Sequence, residues 1–199
     1  MTRMIVYATA LAVFLIATIL TIVSILTTHW LDYEIRNTNT DTSFRHTLGL
    51  HHSCSSASDP ACRPFPDDDD CTDDKFFCSL WRTSGFLLSF ATIVELATVV
   101  SFVVVMAGGK FKREDGWKLI GALLLADAAI EFAGMGIVAY LFNNDSQFTV
   151  SGWNLGWSWA LCTTSAGVSV LVATGLALSA YVLPPEDDYE PVGDGINDI

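Results

Sequence analysis

Met4–Thr28 reads MIVYATALAVFLIATILTIVSILTT, twenty-five residues without a single charge. A helix needs about 20 such residues to cross a hydrocarbon core of ~30 Å. A signal-peptide core is shorter, about 7–15 residues, and ends at small residues. Here the bulky Thr28-His29-Trp30 follows, so this stretch is expected to stay as a spanning helix. Three more apolar runs follow, at Gly85–Ala107, Trp117–Phe142 and Trp157–Leu183. The expected fold is all-α membrane: a four-transmembrane-helix bundle with spans at about 4–28, 85–107, 117–142 and 157–183. One four-span domain, 1–183, holds all of them. The tail 184–199 is acidic and is expected to be disordered and cytoplasmic.

Composition agrees. The chain is 51% hydrophobic with a net charge of −12 and a mean hydropathy of +0.43. The charge is uneven. Loop 29–84 holds ten acidic residues against five Lys/Arg, and 184–199 holds six acidic residues and no Lys/Arg. That balance argues against nucleic acid and supplies no polybasic lipid anchor.

Lysine and arginine placement sets the orientation. Lys110, Lys112, Arg113 and Lys118 crowd the connection between spans two and three, which marks it as cytoplasmic. Arg3 agrees. Both termini are then cytoplasmic, and loop 29–84 faces the oxidising side, where disulfides persist. It carries Cys54, Cys62, Cys71 and Cys78. Four cysteines allow three pairings; proximity favours Cys54–Cys62 with Cys71–Cys78. Cys162, in the fourth span, reads as a free packing residue.

At ~55 residues the loop is too long for a bare connector. His29–Ile35 and Phe44–Leu50 have strand character, with a turn at Asn37–Asp41. Ser55–Asp70, with its prolines and four consecutive Asp, reads as irregular and the Asp run as a hydrated tip. Asp73–Trp81 reads as a short helix. The expectation is a small disulfide-stapled extracellular β-sheet resting on the bundle. In the second outer connection, Trp153, Trp157 and Trp159 fit an interfacial aromatic belt.

Three acids lie inside the spans: Glu95 in the second, and Asp127 and Glu131, one helical turn apart, in the third. A charged side chain there costs at least ~2.5–3.5 kcal/mol, so such groups face the bundle interior. No Lys or Arg lies deep in any span, which predicts neutral carboxyls bonded to one another or to Ser and Thr. A proton or cation relay is the sharper reading; interhelical bonding that fixes the bundle is the plainer one. The histidines match no zinc spacing, and no metal or cofactor is expected. No nucleophile–base pair is legible, so an enzyme is the least favoured class.

Trp30 directly after the first span, Gly49-Leu50 before Cys54, then Cys62, and Arg82 opening the second span together resemble the signature of the claudin superfamily. That superfamily includes claudins, epithelial membrane and peripheral myelin proteins, calcium-channel gamma subunits and fungal PalI-type proteins. His51 stands where the family has a Trp, and Cys71 and Cys78 are additional. The resemblance implies a left-handed bundle under a small sheet, a Cys54–Cys62 bond across two strands, and Trp30 and Gly49-Leu50 as anchors of the sheet. It also implies a non-enzymatic plasma-membrane protein that organises membrane domains, adhesion or a barrier by lateral assembly, as a homo-oligomer or with another membrane protein. The alternatives are an accessory or sensor subunit of a channel or receptor, and a small proton- or cation-coupled transporter using Glu95, Asp127 and Glu131.

Overall fold

The computed structural model describes residues 2–36, 43–67, 69–71, 75–150 and 152–183. Four long helices dominate it: α1 (Thr2–Leu26), α2 (Lys75–Ala107), α3 (Gly109–Asn144) and α4 (Trp157–Val182). All four are long and apolar enough to cross a membrane. They pack in a ring, each on its neighbours, with α1 closing on α4. The expected turn at 37–41 and the acidic tail lie outside the described residues.

Both long middle helices outrun their apolar stretches. α2 begins at Lys75, so the expected short helix and the second span are one continuous element. Its first turns bury Phe77, Cys78 and Trp81, and this packing carries the helix past the apolar run. The basic connection is likewise helical. Only Gly108 separates α2 from α3, and Gly109 takes a φ of 79°, a left-handed conformation that suits a residue without Cβ.

The strands are β1 (Leu31–Arg36), β2 (Ser43–Leu48), β3 (His52–Ser55), β4 (Cys62–Pro64) and β5 (Trp153–Leu155). They form one antiparallel sheet in the order β4-β3-β2-β1-β5. β1 and β2 fall where the alternation predicts. The stretch read as irregular contains β4 and the end of β3. Its Cys54–Cys62 bond lies across that strand pair, since Cys54 is also Cys62's register partner. β5 comes from the connection between α3 and α4, so both connections at this end build the sheet. Trp153 is a sheet residue whose ring lies 4.9 Å from Tyr33 and 5.2 Å from Phe148.

Two apolar cores fill the bundle. The one at the sheet end joins Trp30, Leu31, Leu48 and Leu50 to Phe77, Trp81, Leu88, Met135, Val138 and Leu141. The one towards the opposite end packs Tyr7, Phe14, Phe102, Ile120, Leu124, Val172 and Leu176. A polar layer lies between them.

Candidate functional site

The sheet seat comes first along the chain. Trp30 is fully buried and its indole N–H donates to the Ser24 carbonyl at 2.8 Å, which ties the start of β1 to the last turn of α1. Leu50 is also buried. Gly49 is required by space: a Cβ there would sit 2.8 Å from Thr28 Cα and 3.0 Å from the Thr27 carbonyl oxygen, both backbone. Arg82 reaches from α2 to the Pro66 carbonyl at 3.4 Å. Trp30 and Gly49 thus lie where the loop meets α1, Leu50 lies beside Gly85 of α2, and Arg82 touches the loop separately at Pro66. A second bridge, Cys71–Cys78, ties the loop's end to the first turn of α2. Asp70 is not simply a hydrated tip, since Arg63 donates to its carboxylate at 2.7 Å.

Two loop histidines sit in this region. His46 bonds Ser53 Oγ at 2.9 Å and meets Trp153 edge-on. Burial, reinforced by the nearby Arg63 charge, holds the His46 imidazole below its ordinary value. His51 packs beside Gly85, and burial together with His52 lowers it too.

The polar layer is the chemically distinctive feature. Glu95, Asp127 and Glu131 are all fully buried. One ligating atom from each lies within 4.8 Å of the others, close enough for the three to face one common ion. Every helix contributes. Thr21 of α1 places its Oγ1 3.0 Å from Glu95 Oε1, 2.6 Å from Glu131 Oε1 and 2.7 Å from Ser165 Oγ of α4. Ser165 donates to the Ala17 carbonyl at 3.0 Å. Ser169 donates to Asp127 Oδ2 at 3.3 Å.

Counting protons is informative here. Five contacts meet on two hydroxyls: four on Thr21, one of them to the Ala17 carbonyl at 3.4 Å, and one from Ser165 to the same carbonyl, which only accepts. Each hydroxyl brings one proton. One Thr21 proton cannot serve both carboxyls, so at least one of Glu95 and Glu131 meets Thr21 as a neutral acid that donates. No cationic side chain stands by to compensate ionised ones. Even so, Glu95 Oε2, Asp127 Oδ1 and Glu131 Oε2 stay buried without a hydrogen-bond partner. Buried polar atoms are nearly always paired, so three orphans in one place mark capacity for something more.

The acids were readable from the sequence; their hydroxyl partners were missed. A signal for them existed. Thr18, Thr21 and Ser24 recur every three residues on α1, and Ser158, Cys162, Ser165 and Ser169 recur at three- and four-residue steps on α4. Such spacing puts each set on one helix face. Cys162 is free and buried as expected, but it also belongs to this layer: its Sγ lies 4.0 Å from Glu131 Oε1.

A scan against protein-family models and a search of curated proteins return no match to this chain.

Proposed function

We propose that the chain is a claudin-like plasma-membrane protein that works by contact rather than catalysis. The helices span the bilayer, the sheet is extracellular and both termini are cytoplasmic. The outward helix faces suit lipid: Ile16, Ile19, Phe86, Ile93, Val100, Leu119 and Leu171 are all exposed. Orientation rests on the Lys/Arg cluster at the α2–α3 connection.

The observation that carries the contact reading is the gradient along the β1–β2 hairpin. At its base, Leu31 pairs with Leu48 and both are buried in the core shared with the helices. Towards its tip, Ile35 pairs with Phe44, and these are 47% and 38% exposed. A rigidly seated hairpin that ends in an exposed apolar pair suits a surface that meets another protein. A second copy of this chain is the partner we favour, giving lateral assembly that organises membrane domains, adhesion or a barrier.

Cross-linking in intact membranes, with mass spectrometry of all captured species, tests this. The expected result is homotypic cross-links near the hairpin, lost in the Ile35→Asp, Phe44→Asp double variant while surface delivery is unchanged. Capture of one foreign membrane protein instead would replace self-assembly with an accessory-subunit role. Unchanged homotypic cross-links in the variant would remove the hairpin tip from the contact.

A further inference from the structure

The end of the bundle away from the sheet carries two arginines that share a cleft. Arg3 comes from the first turn of α1 and Arg113 from the first turns of α3. Both line the cleft with Tyr7, Trp117 and Ser179. Backbone carbonyls help to hold each guanidinium in place: Arg3 donates to that of Leu183 at 3.1 Å and Arg113 to that of Met106 at 3.4 Å. Tyr7 adds a tie between α1 and α3, donating its hydroxyl to the Arg113 carbonyl at 2.9 Å. A guanidinium presents five N–H donors in a planar fork that matches the oxygens of a phosphate.

An apolar groove opens from the same place. It follows the α1–α4 seam, has an open volume of about 450 Å³, and is walled by Val6, Val13, Leu171, Gly175 and Leu176. Val6 and Ser179 line both the cleft and the groove, so the two are continuous. Val13 and Leu171 stand 46% and 71% exposed, which turns the groove outward, to the side where lipid lies around spanning helices. Gly175 helps to keep it open: a Cβ there would meet nothing within 4 Å. Among the described residues, none that lines the cleft or the groove is acidic.

We propose that cleft and groove together bind one anionic glycerophospholipid, its phosphate at Arg3 and Arg113 and an acyl chain along the α1–α4 groove. Charge decides the occupant. A neutral chain uses the groove alone and a soluble anion uses the cleft alone, whereas a cationic mouth on an apolar groove matches a molecule that carries both features. A choline headgroup brings its own cation beside the arginines; a serine headgroup keeps a net negative charge. The cleft has an open volume of about 10 Å³, room for roughly one water-sized group, so it takes a phosphate oxygen while the rest of the headgroup stays in water. Two arginines form a local site, not a polybasic anchor, and the acidic balance of the whole chain does not oppose it. The site rests on the spanning topology proposed above, which puts it in the cytoplasmic leaflet, where anionic lipids gather.

The test uses the full-length protein, tail 184–199 included, stripped of lipid in a neutral detergent. Dioleoylphosphatidylserine and dioleoylphosphatidylcholine are added in equal amounts, and native mass spectrometry counts the lipid retained on each chain. The expected result is a single phosphatidylserine, preferred over phosphatidylcholine by at least ~10-fold. The Arg3→Gln, Arg113→Gln double variant should lose that preference. Gly175→Phe, whose Cβ meets no neighbour, should occupy the groove and lower phosphatidylserine retention by a similar factor; it serves alone should the arginine variant fail to fold. Equal retention of the two lipids by the unaltered chain overturns the site. A preference that survives the arginine variant removes the cleft from it, and unchanged retention in Gly175→Phe removes the groove. Three other occupants would each replace the lipid. Displacement by water-soluble glycerophosphoserine at the lipid's own concentration assigns the cleft to a soluble anion. A preference seen only after deletion of 184–199 assigns it to the acidic tail. Dimers lost in Gly175→Phe assign the groove to a second copy of the chain. Binding in detergent stands apart from topology, which protease access to the sheet in proteoliposomes checks separately.

Discussion

The sheet end and the polar layer belong to the same four helices, yet they treat buried polar groups differently. At the sheet end several buried groups meet backbone partners: Trp30 donates to the Ser24 carbonyl, Ser24 to that of Ser158, and Ser84 to that of Gly134. Only the Trp81 indole nitrogen lacks a partner among the described residues there. Disulfides and stacked aromatics complete the joint. In the layer, hydroxyls and carboxyls meet one another and three oxygens remain unmatched. A backbone carbonyl has one state, so a joint built on it is fixed. A carboxyl has two, so a cluster built on carboxyls retains a degree of freedom.

The contrast can be broken most forcefully at Trp30. Trp30→Ala should destabilise the protein by about 3–5 kcal/mol, the usual cost of emptying a large buried aromatic site, and should detach the sheet before the bundle melts. Thermal unfolding followed by near-ultraviolet and far-ultraviolet circular dichroism checks it; coincident loss of both signals would mean that sheet and bundle are one cooperative unit.

Cys54→Ser should cost about 2–3 kcal/mol, as expected for a bridge that closes a short loop, and should hold the chain in the secretory pathway. Surface staining with a reporter on the loop measures this, and normal delivery would show that β3–β4 pairing suffices without the staple.

The layer should behave in the opposite way. Glu131→Gln supplies a neutral donor of similar shape beside Thr21 and is expected to change stability by less than ~1 kcal/mol. A much larger loss in a denaturation series would mean that this position needs a negative charge, and the distinction between the two regions would need redrawing.

The smallest effect is one of pH, confined to the sheet. His46 is held below its ordinary value in the folded protein, so below its ordinary pKa of about 6.5 the unfolded chain binds more protons than the folded one. Stability is then intact above that pH and declines as pH falls beneath it. Melting of the sheet signal at a series of pH values should show this decline, and His46→Gln should flatten it. An unflattened profile in the variant would shift the effect to His51.

Much was available before any coordinates. Apolar run length pointed to four long helices, since about 20 predominantly apolar residues match the length of a spanning helix. Alternation in Leu31–Arg36 and Ser43–Leu48 marked two strands, and the proximity of Cys54 to Cys62 and of Cys71 to Cys78 anticipated both bridges. Glu95, Asp127 and Glu131 stood out because acids are costly in apolar runs. β5 was not readable, because three residues carry too little period to register; pairing with β1 across more than 100 positions creates that strand. Nor did the sequence reveal that α2 and α3 extend beyond their apolar runs, an outcome of packing by Phe77 and Trp81 on one and of the Gly109 turn on the other. Only the tertiary structure brought Thr21 and Ser165 against the acids. A hydroxyl costs little wherever it falls on a helix, so its presence announces nothing; its role is set by which neighbouring helix turns a carboxyl towards it.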